Sequence, residues 1–415
     1  MGDVVLVSFC NVSAPHLPLL GIFRPESAEL VALRLAGELS ATFKGVTGLA
    51  ERDGFLYAVG QFRPRDAEKS TLRTALLVFN RDTLNLLTTY EFRGALDGHS
   101  LAFSGGKLYL ASSGTDQIVE LEVKGSEVLA ERPYLQASQG HLADMNHLNG
   151  LCDSPNGLIV SAFGLRTDPS WASATNGFIL DVKRRDRIRT GLQHPHSPFV
   201  LGQSIVFCQS RTTSVETVNG DRRQVLPGYT RGICKWEDDL FVATSVGRKT
   251  SRSTGQVIEN PGVAGVVAGG CTINRLRAAD FGLISTYQAP LAIGEIYDLM
   301  TVGNVEQWPV DERPLRETSV LYFALYAHGD SAFVIDDPTV GRASLLVSDE
   351  VGANRLAQSL GGLEVRRLLG PDAVLEAIDP SNMYVAIDGR IDDAGRIQAS
   401  RLMPVEQFKQ SLLVG

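Results

Sequence analysis

The sequence lacks the features that mark three large classes of protein. No apolar run of about 18 residues is present, so no transmembrane helix is predicted, and the first residues lack the basic segment of a signal peptide. The five cysteines among 415 residues are scattered without a CxxC pair, which predicts thiols in a cytoplasmic protein. The net charge of −8 and the short basic stretch at 183–189 argue against a nucleic-acid partner.

Recognisable catalytic motifs are also missing from the sequence. It contains no GxSxG element, no P-loop and no HExxH pair. A glycine-rich segment at 262–269 lacks the strand–turn–helix context of a dinucleotide site, and we expect it to be a loop between blades.

Short apolar runs headed by a polar residue recur along the first three quarters of the chain. Three of them begin at His99, His147 and His196, in steps of 48 and 49 residues. Each run is followed by a polar turn and a second apolar run, the pattern of a β-hairpin. A period of roughly 40–50 residues is typical of a four-stranded propeller blade.

The sequence therefore predicts an all-β propeller over residues 1–305, with six blades favoured and seven as the alternative. A weaker sixth unit begins at Cys271, and the strand at 4–9 is expected to pair with the last blade and close the ring. Residues 306–318 are predicted to form a linker. Strand and helix patterns alternate over residues 319–415, with helices expected at 349–360 and 405–413, and predict a small α+β C-terminal domain.

Three segments resemble a known family. Residues 146–151 read Asn-His-Leu-Asn-Gly-Leu, residues 195–198 read Pro-His-Ser-Pro, and residues 226–232 read Leu-Pro-Gly-Tyr-Thr-Arg-Gly. They are similar to the HLNG, PHSP and PGF-TRG elements of the uncharacterised bacterial propeller family DUF4915, and Asp97-Gly-His resembles an aspartate–histidine element of that family. The resemblance covers about residues 90–300, although Phe199 stands where the family usually has arginine. It implies a propeller fold and no particular reaction.

The three histidines are the first candidate site. Residues at equivalent places in successive blades surround the axis, so His99, His147 and His196 are predicted to converge on one point. Three imidazoles with an open position are typical of a catalytic zinc site, and iron, nickel or manganese are alternative divalent ions. Asp97 and Asp144 are candidates to orient the histidines through hydrogen bonds. The alternative is that either residue caps a turn, which is favoured for Asp144. Alternatively, each histidine fills the channel and bonds to a neighbouring turn.

Four further residues complete the predicted site. Arg231 in the next blade and Asn149 are predicted to bind substrate, Arg231 through a carboxylate or phosphate. Glu295 and His194 are the candidate catalytic acid and base. The alternatives are a structural arginine bonded to loop carbonyls for Arg231, a solvated carboxylate at a strand end for Glu295, and a position at the rim for His194.

Together these features favour a metal-dependent lyase, isomerase or hydrolase that acts on a small anionic metabolite at the channel mouth. Amidating lyases, whose six-bladed propeller holds zinc by three channel histidines, offer an analogy without shared motifs. The alternative is a non-catalytic propeller that binds a peptide or glycan. The expected partners are a small-molecule substrate and a second copy bound through the C-terminal domain, without nucleic acid or membrane.

Overall fold

The computed structural model divides the chain into two compact units, Met1–Arg316 and Glu317–Gly415. In the first unit the structure describes residues 3–10, 18–35, 39, 42–62, 73–138, 143–168, 171–245, 271–289, 295–303 and 305–314. In the second unit it describes residues 320–326, 334–337, 341–347, 353, 356–358, 364–369, 384–391 and 397–405.

The described part of the first unit consists of antiparallel strands with two short 3₁₀ turns, at Trp171–Ser173 and Ser210–Thr212. The strands are β1 Val4–Cys10, β2 Leu20–Arg24, β3 Glu29–Leu33, β4 Phe43–Arg52, β5 Phe55–Phe62, β6 Arg73–Asn80, β7 Leu86–Leu96, β8 Gly98–Ser104, β9 Lys107–Ser112, β10 Gln117–Lys124, β11 Glu127–Gln136, β12 Leu148–Ser154, β13 Gly157–Ala162, β14 Gly177–Asp181, β15 Asp186–Leu192, β16 Pro195–Leu201, β17 Ser204–Gln209, β18 Ser214–Thr217, β19 Arg223–Val225, β20 Tyr229–Trp236, β21 Asp239–Ser245, β22 Thr272–Arg277, β23 Leu283–Gln288, β24 Glu295–Val302 and β25 Val310–Pro314.

These strands form a closed propeller of six blades. Blades 2 to 6 are the four-stranded sheets β4–β7, β8–β11, β12–β15, β16–β19 and β20–β23, and blade 1 has the order β24-β1-β2-β3-β25. The innermost strands contact one another in a ring, β4 to β8, β12, β16, β20, β24 and back to β4. The predicted closure is confirmed, because β1 pairs with β24 and places Val4 opposite Val302 and Cys10 opposite Glu295.

The end of the propeller differs from the prediction in two places. The segment from Cys271 does not open a new blade, because β22 and β23 are the third and fourth strands of blade 6. In addition, β25 lies within the predicted linker and pairs with β3, with Val310 opposite Leu33. The glycine-rich segment 262–269 lies outside the described residues.

Apolar side chains pack between adjacent blades. One cluster joins Leu6 of blade 1 to Leu77 of blade 2, and another joins Val59 of blade 2 to Leu110 of blade 3. A strand with apolar residues on both faces, such as β1, is buried throughout because it lies between neighbouring sheets. Burial of this kind contributes about 25 cal/mol for each Å² of apolar surface removed from water, and it fixes the positions of the inner strands.

The second unit is described mainly by one sheet. Its strands are β26 Val320–Tyr326, β27 Val334–Asp337, β28 Gly341–Val347, β29 Glu364–Leu369, β30 Tyr384–Ile391 and β31 Ile397–Pro404. The sheet order is β29-β26-β28-β30-β31, with β27 beside β28. Helical residues among those described are 353, 356–358 and 405. The described residues of this unit lie mostly in strands, so they do not support the predicted mixed α+β character.

Candidate active site in the propeller channel

The pairing of each innermost strand with the next strand defines equivalent positions around the axis. The aligned pairs are Val46–Gly60, Gly98–Ser112, Leu148–Ala162, Pro195–Gln209, Thr230–Thr244 and Ile296–Phe9. In each pair the first residue lies on the innermost strand. We call the six residues that directly follow these first members along the chain the channel ring. The channel ring is Thr47, His99, Asn149, His196, Arg231 and Tyr297.

This register corrects the predicted alignment of the three histidines. His147 lies two residues before the channel ring, at the position of Asp97 and His194. These three residues share a left-handed backbone, with φ of 54°, 49° and 54° respectively. The residue equivalent to His99 and His196 is Asn149. The nearly equal histidine spacing is a coincidence, because the true steps between these blades are 50 and 47 residues.

Asp97, His99 and Tyr297 form a hydrogen-bonded chain. His99 Nε2 lies 3.2 Å from Asp97 Oδ1, and His99 Nδ1 lies 2.6 Å from Tyr297 Oη. A carboxylate can only accept, so Nε2 is assigned the ring proton and Nδ1 accepts from the Tyr297 hydroxyl. The Gln61 amide donates to Asp97 Oδ1 at 2.8 Å, and Asn149 Nδ2 lies 2.9 Å from His99 Nδ1. We call Asp97, His99 and Tyr297 the relay.

The environment keeps His99 neutral. Burial lowers its pKa from the usual value, and the nearby Asp97 carboxylate opposes this effect only in part. A neutral imidazole with a lone pair directed at a hydroxyl can act as a base.

Arg231 already has a counter-ion within the chain. Its Nη1 donates to Glu295 Oε2 at 2.8 Å, and both side chains are buried. The guanidinium also lies 4.8 Å from the ring centre of Tyr229 and 5.0 Å from that of Tyr297. The Cys10 thiol donates to the same Glu295 oxygen at 3.0 Å. Arg231 is therefore not an uncompensated cation that requires an anionic substrate, and Glu295 is its counter-ion.

The other three histidines in the described part of the chain, His147, His194 and His196, pack around Phe163. The ring of Phe163 stacks on His194 at 4.2 Å and contacts His147 at 4.4 Å and His196 at 5.1 Å. His147 Nδ1 lies 3.0 and 3.1 Å from the two carboxylate oxygens of Asp144, so Asp144 contacts a histidine, the role that the sequence favoured less than turn capping.

His194 has partners for both ring nitrogens. Nε2 lies 2.8 Å from the Trp171 carbonyl oxygen and so donates to it, while Nδ1 accepts from the Tyr229 hydroxyl at 3.0 Å. Burial lowers the His194 pKa to about 3. The side chain is therefore neutral at physiological pH, which does not favour its predicted role as a proton donor.

His196 has one satisfied nitrogen. Nδ1 lies 3.0 Å from the His194 carbonyl oxygen and 2.7 Å from Ser210 Oγ, which gives its own proton to the Thr230 carbonyl. Nε2 is buried without a hydrogen-bond partner in the described part of the chain. Burial, with a further contribution from Arg231, holds the pKa of His196 well below its usual value.

The described residues do not support the predicted metal site. Among them, no group of three or more His, Cys, Asp or Glu side chains is arranged to hold a metal ion. The His99 lone pair faces Tyr297 and Asn149, and Phe163 packs against both His147 and His196. A single ion coordinated by His99, His147 and His196 does not fit this arrangement.

A cavity of about 430 Å³ occupies the channel, with walls from the innermost strands of all six blades. The buried side chains of His99, Asn149 and Tyr297 line its inner end. Asp153 and Lys235, near the far ends of their strands, also line it and are exposed. The cavity therefore opens toward the ends of the innermost strands rather than toward their starts, where the sequence predicted the site.

An apolar ring surrounds the middle of the cavity. Its members all lie two residues beyond the channel ring, one in each blade. They are Leu49, Leu101, Leu151, Pro198, Ile233 and Leu299.

Asp298 lies on the cavity wall and joins blade 1 to blade 2. Its two carboxylate oxygens accept from the backbone N–H groups of Leu49 and Leu299, each at 3.0 Å. Burial raises the Asp298 pKa to about 7, despite these hydrogen bonds. Ser100 and Ser197 occupy the same position in blades 3 and 5, and their hydroxyls likewise accept from a backbone N–H of the following blade.

Sequence reasoning selected Glu295 in this strand and missed Tyr297 and Asp298. Side chains of a strand alternate between its two faces, so a residue two positions after Glu295 shares its side. That alternation was the signal that could have identified Tyr297.

Among the described residues, no helix is long and apolar enough to cross a membrane. A search of curated proteins finds no match.

Three solved structures illustrate the likeness to known propellers. A chain of the nidogen/laminin complex is 13% identical with a TM-score of 0.49, covering 73% of this chain and 100% of that one. A putative 6-phosphogluconolactonase from Bacteroides fragilis is 13% identical with a TM-score of 0.45, covering 73% and 98%.

The third structure is a putative oxidoreductase (glucose dehydrogenase) from Thermus thermophilus, 15% identical with a TM-score of 0.38, covering 59% of this chain and 88% of that one. At such low identities and TM-scores these three likenesses carry no argument about function.

The family comparison is more extensive. The model of the domain of unknown function DUF4915 matches residues 35–310, well over half of the chain. This range includes every residue of the relay and of the channel ring. The chain belongs to the DUF4915 family, as the three sequence segments predicted.

Proposed function

We propose that the protein is an enzyme that transfers protons to and from a small polar metabolite in the channel cavity. The observation that carries this proposal is the relay, whose His99 and Tyr297 line the cavity. A hydroxyl within hydrogen-bond reach of a base, with the base oriented by a third group, is the arrangement of activated hydroxyls in enzymes.

The proposed step is a general-base reaction at Tyr297. The Tyr297 oxygen accepts a proton from the substrate while its own hydroxyl proton passes to His99 Nδ1. The resulting imidazolium keeps its Nε2–H directed at Asp97, whose negative charge stabilises it. The reverse transfers return the proton to the substrate or to a leaving group, so the relay ends the cycle in its starting state.

Arg231 supports this step through its position beside Tyr297. A positive charge 5.0 Å from the ring centre stabilises negative charge that develops on the phenol oxygen. Glu295 fixes the guanidinium in place at 2.8 Å. We infer that Asn149, whose amide lines the same inner end of the cavity, bonds a substrate oxygen through the N–H that is not directed at His99.

Proton transfer of this kind serves lyases, isomerases and hydrolases, the three reaction classes that the sequence favours. No part of the proposed step requires a metal ion. The alternative hypothesis is a non-catalytic propeller that binds a ligand in the same cavity. A measurement of enzymatic activity distinguishes the two hypotheses.

The test is conversion of metabolites by the purified full-length chain. A library of small polar metabolites is incubated with wild type and followed by mass spectrometry. We expect wild type to consume at least one compound. Tyr297→Phe should slow that conversion by on the order of 10²–10⁴-fold, because general acid–base catalysis contributes about this much, and Asp97→Asn should slow it less.

Tyr57→Phe is the matched control. Tyr57 is also buried, and its hydroxyl donates to the Gly125 carbonyl at 2.7 Å, away from the channel. It should retain the wild-type rate. Wild-type activity in Tyr297→Phe, or no conversion of any compound by wild type, overturns the proposal.

A further inference from the structure

The charges that face the cavity are unequally balanced. Charged lining residues are Glu51, Asp153, Lys235 and Asp298. Glu51 pairs with Arg81, whose Nε lies 2.9 Å from its Oε1. Asp153 and Lys235 are both exposed and stand at the open end with opposite charges. Asp298 is the remaining charged group, and it lies beside Tyr297 toward the inner end.

Asp298 has hydrogen bonds but no cationic partner among the described residues. The Leu49 and Leu299 N–H groups bond to it, while burial alone raises its pKa and no lysine or arginine opposes that effect. The nearest channel-ring cation, Arg231, is bound to Glu295. Asp298 is only partly buried, but a carboxylate that is partly shielded from water without a counter-ion still carries a free-energy cost, which a bound cation would reduce.

The apolar ring lies next to Asp298 along the channel, because Leu299 is its neighbour in β24. A ligand that placed a cation at Asp298 would therefore have its remaining atoms among six apolar side chains. Such walls favour a short hydrocarbon chain, since each CH₂ group removed from water among apolar side chains stabilises the complex.

From this arrangement we infer that the cavity binds a primary amine, with its ammonium group at Asp298 and its carbon chain inside the apolar ring. The inference rests on the proposed function for the location of the binding site, and it names the substrate class as an alkylamine. It replaces the anionic substrate expected from Arg231, because the free charge on the cavity wall is negative.

Calorimetric titration of the full-length chain with n-butylammonium, n-butyrate and 1-butanol tests the inference. The three probes have matched carbon chains and differ in charge. We expect n-butylammonium to bind at least about tenfold more tightly than n-butyrate, a difference of about 1.4 kcal/mol. Tighter binding of n-butyrate, or no measurable binding of n-butylammonium at millimolar concentration, overturns the inference.

Asp298→Ser is the informative variant, because the chain already has serine at this position in blades 3 and 5. The hydroxyl can keep the bond from the Leu49 N–H while the charge is lost. Binding of n-butylammonium should weaken about tenfold, a loss of about 1.4 kcal/mol, and binding of 1-butanol should not change. Asp153→Ser, at the exposed end, is the control and should leave both affinities near wild type. Unchanged amine affinity in Asp298→Ser contradicts the inference.

Tyr297→Phe distinguishes this inference from the proposed function. It removes the relay hydroxyl and keeps Asp298, so it should lose turnover and retain amine binding. If wild type shows no preference for the amine while Tyr297→Phe still abolishes turnover, the enzyme proposal stands and the amine inference fails. If the amine binds at Asp298 and Tyr297→Phe leaves turnover intact, the amine inference stands and the enzyme proposal fails.

Discussion

The hydroxyl of Tyr297 lies 2.6 Å from Nδ1 of His99, although 198 residues separate the two in the chain. Tyr297 belongs to blade 1 and His99 to blade 3, so the contact crosses the position of blade 2. The channel-ring residue of blade 2 is Thr47, a short side chain whose hydroxyl donates to the Gly98 carbonyl at 2.9 Å. Because Thr47 is short and turned aside, the two longer side chains meet.

The protonation of His99 provides a first prediction. Burial lowers its pKa and Asp97 raises it, so His99 should titrate below the usual value of about 6.5. Asp97→Asn removes the opposing charge and should lower the His99 pKa further. Nitrogen chemical shifts of labelled histidine, followed from pH 7 to pH 4, should show a neutral ring protonated at Nε2. A rise in the His99 pKa in Asp97→Asn would contradict the assigned relay.

Close approach of the inner strands provides a second prediction. A Cβ atom added to Gly150 would lie 2.4 Å from Pro198 Cδ and 2.6 Å from the Ser197 backbone nitrogen. Gly150→Ala should therefore lower the free energy of unfolding by at least about 1–3 kcal/mol, the usual cost of overpacking. Denaturant unfolding measures the effect. Gly94→Ala is the control, because a Cβ there meets only a flexible Glu131 oxygen at 3.7 Å. Equal stabilities of the two variants would refute the close packing.

Much of the fold could be predicted because its signals are local. Alternating apolar residues and tight turns identified the hairpins of blades 2 to 6, and the apolar run at 4–9 predicted ring closure. The register of His147 could not be obtained in this way, because blade lengths vary and the left-handed residue before β12 has no signature in composition. The contact between Tyr297 and His99 depends on the register of blades 1 and 3 around the closed ring, which no local pattern encodes.

The ion pair between Arg231 and Glu295 could more nearly have been predicted from the sequence. Arg231 was predicted at the start of an inner strand and Glu295 in the last blade, and opposite charges brought together around the axis are expected to pair. The prediction instead gave Arg231 an external anion and Glu295 a separate catalytic role. Burial explains the outcome, since two charges enclosed in the channel are stable only when each compensates the other.

Acid sensitivity provides a third prediction, from His194. Its folded pKa is about 3, while an unfolded histidine has a pKa near 6.5. Between these values the unfolded chain binds the additional proton, so stability should fall as the pH decreases from about 6.5, by up to about 1.4 kcal/mol per pH unit. His194→Gln can still donate to Trp171, and it should show a shallower decrease of melting temperature between pH 6.5 and pH 4. An equally steep decrease in the variant would assign the acid sensitivity elsewhere.

Asp298 provides a fourth prediction, with the opposite dependence on pH. Its folded pKa is raised to about 7 from an ordinary value of 3.8. Between these two values the folded chain holds the additional proton, so this group makes the protein less stable as the pH rises through the window, and the full cost is present above about pH 7.

Asp298→Ser removes the titrating group and can keep the bond to Leu49. Relative to wild type, it should gain stability as the pH rises from 4 to 8, by on the order of 1–3 kcal/mol after allowance for partial exposure. Denaturant unfolding of both proteins across this range measures the difference, with Asp153→Ser as an exposed control. Parallel pH profiles for wild type and Asp298→Ser would show that Asp298 is not the carboxylate without a counter-ion on which the amine inference rests.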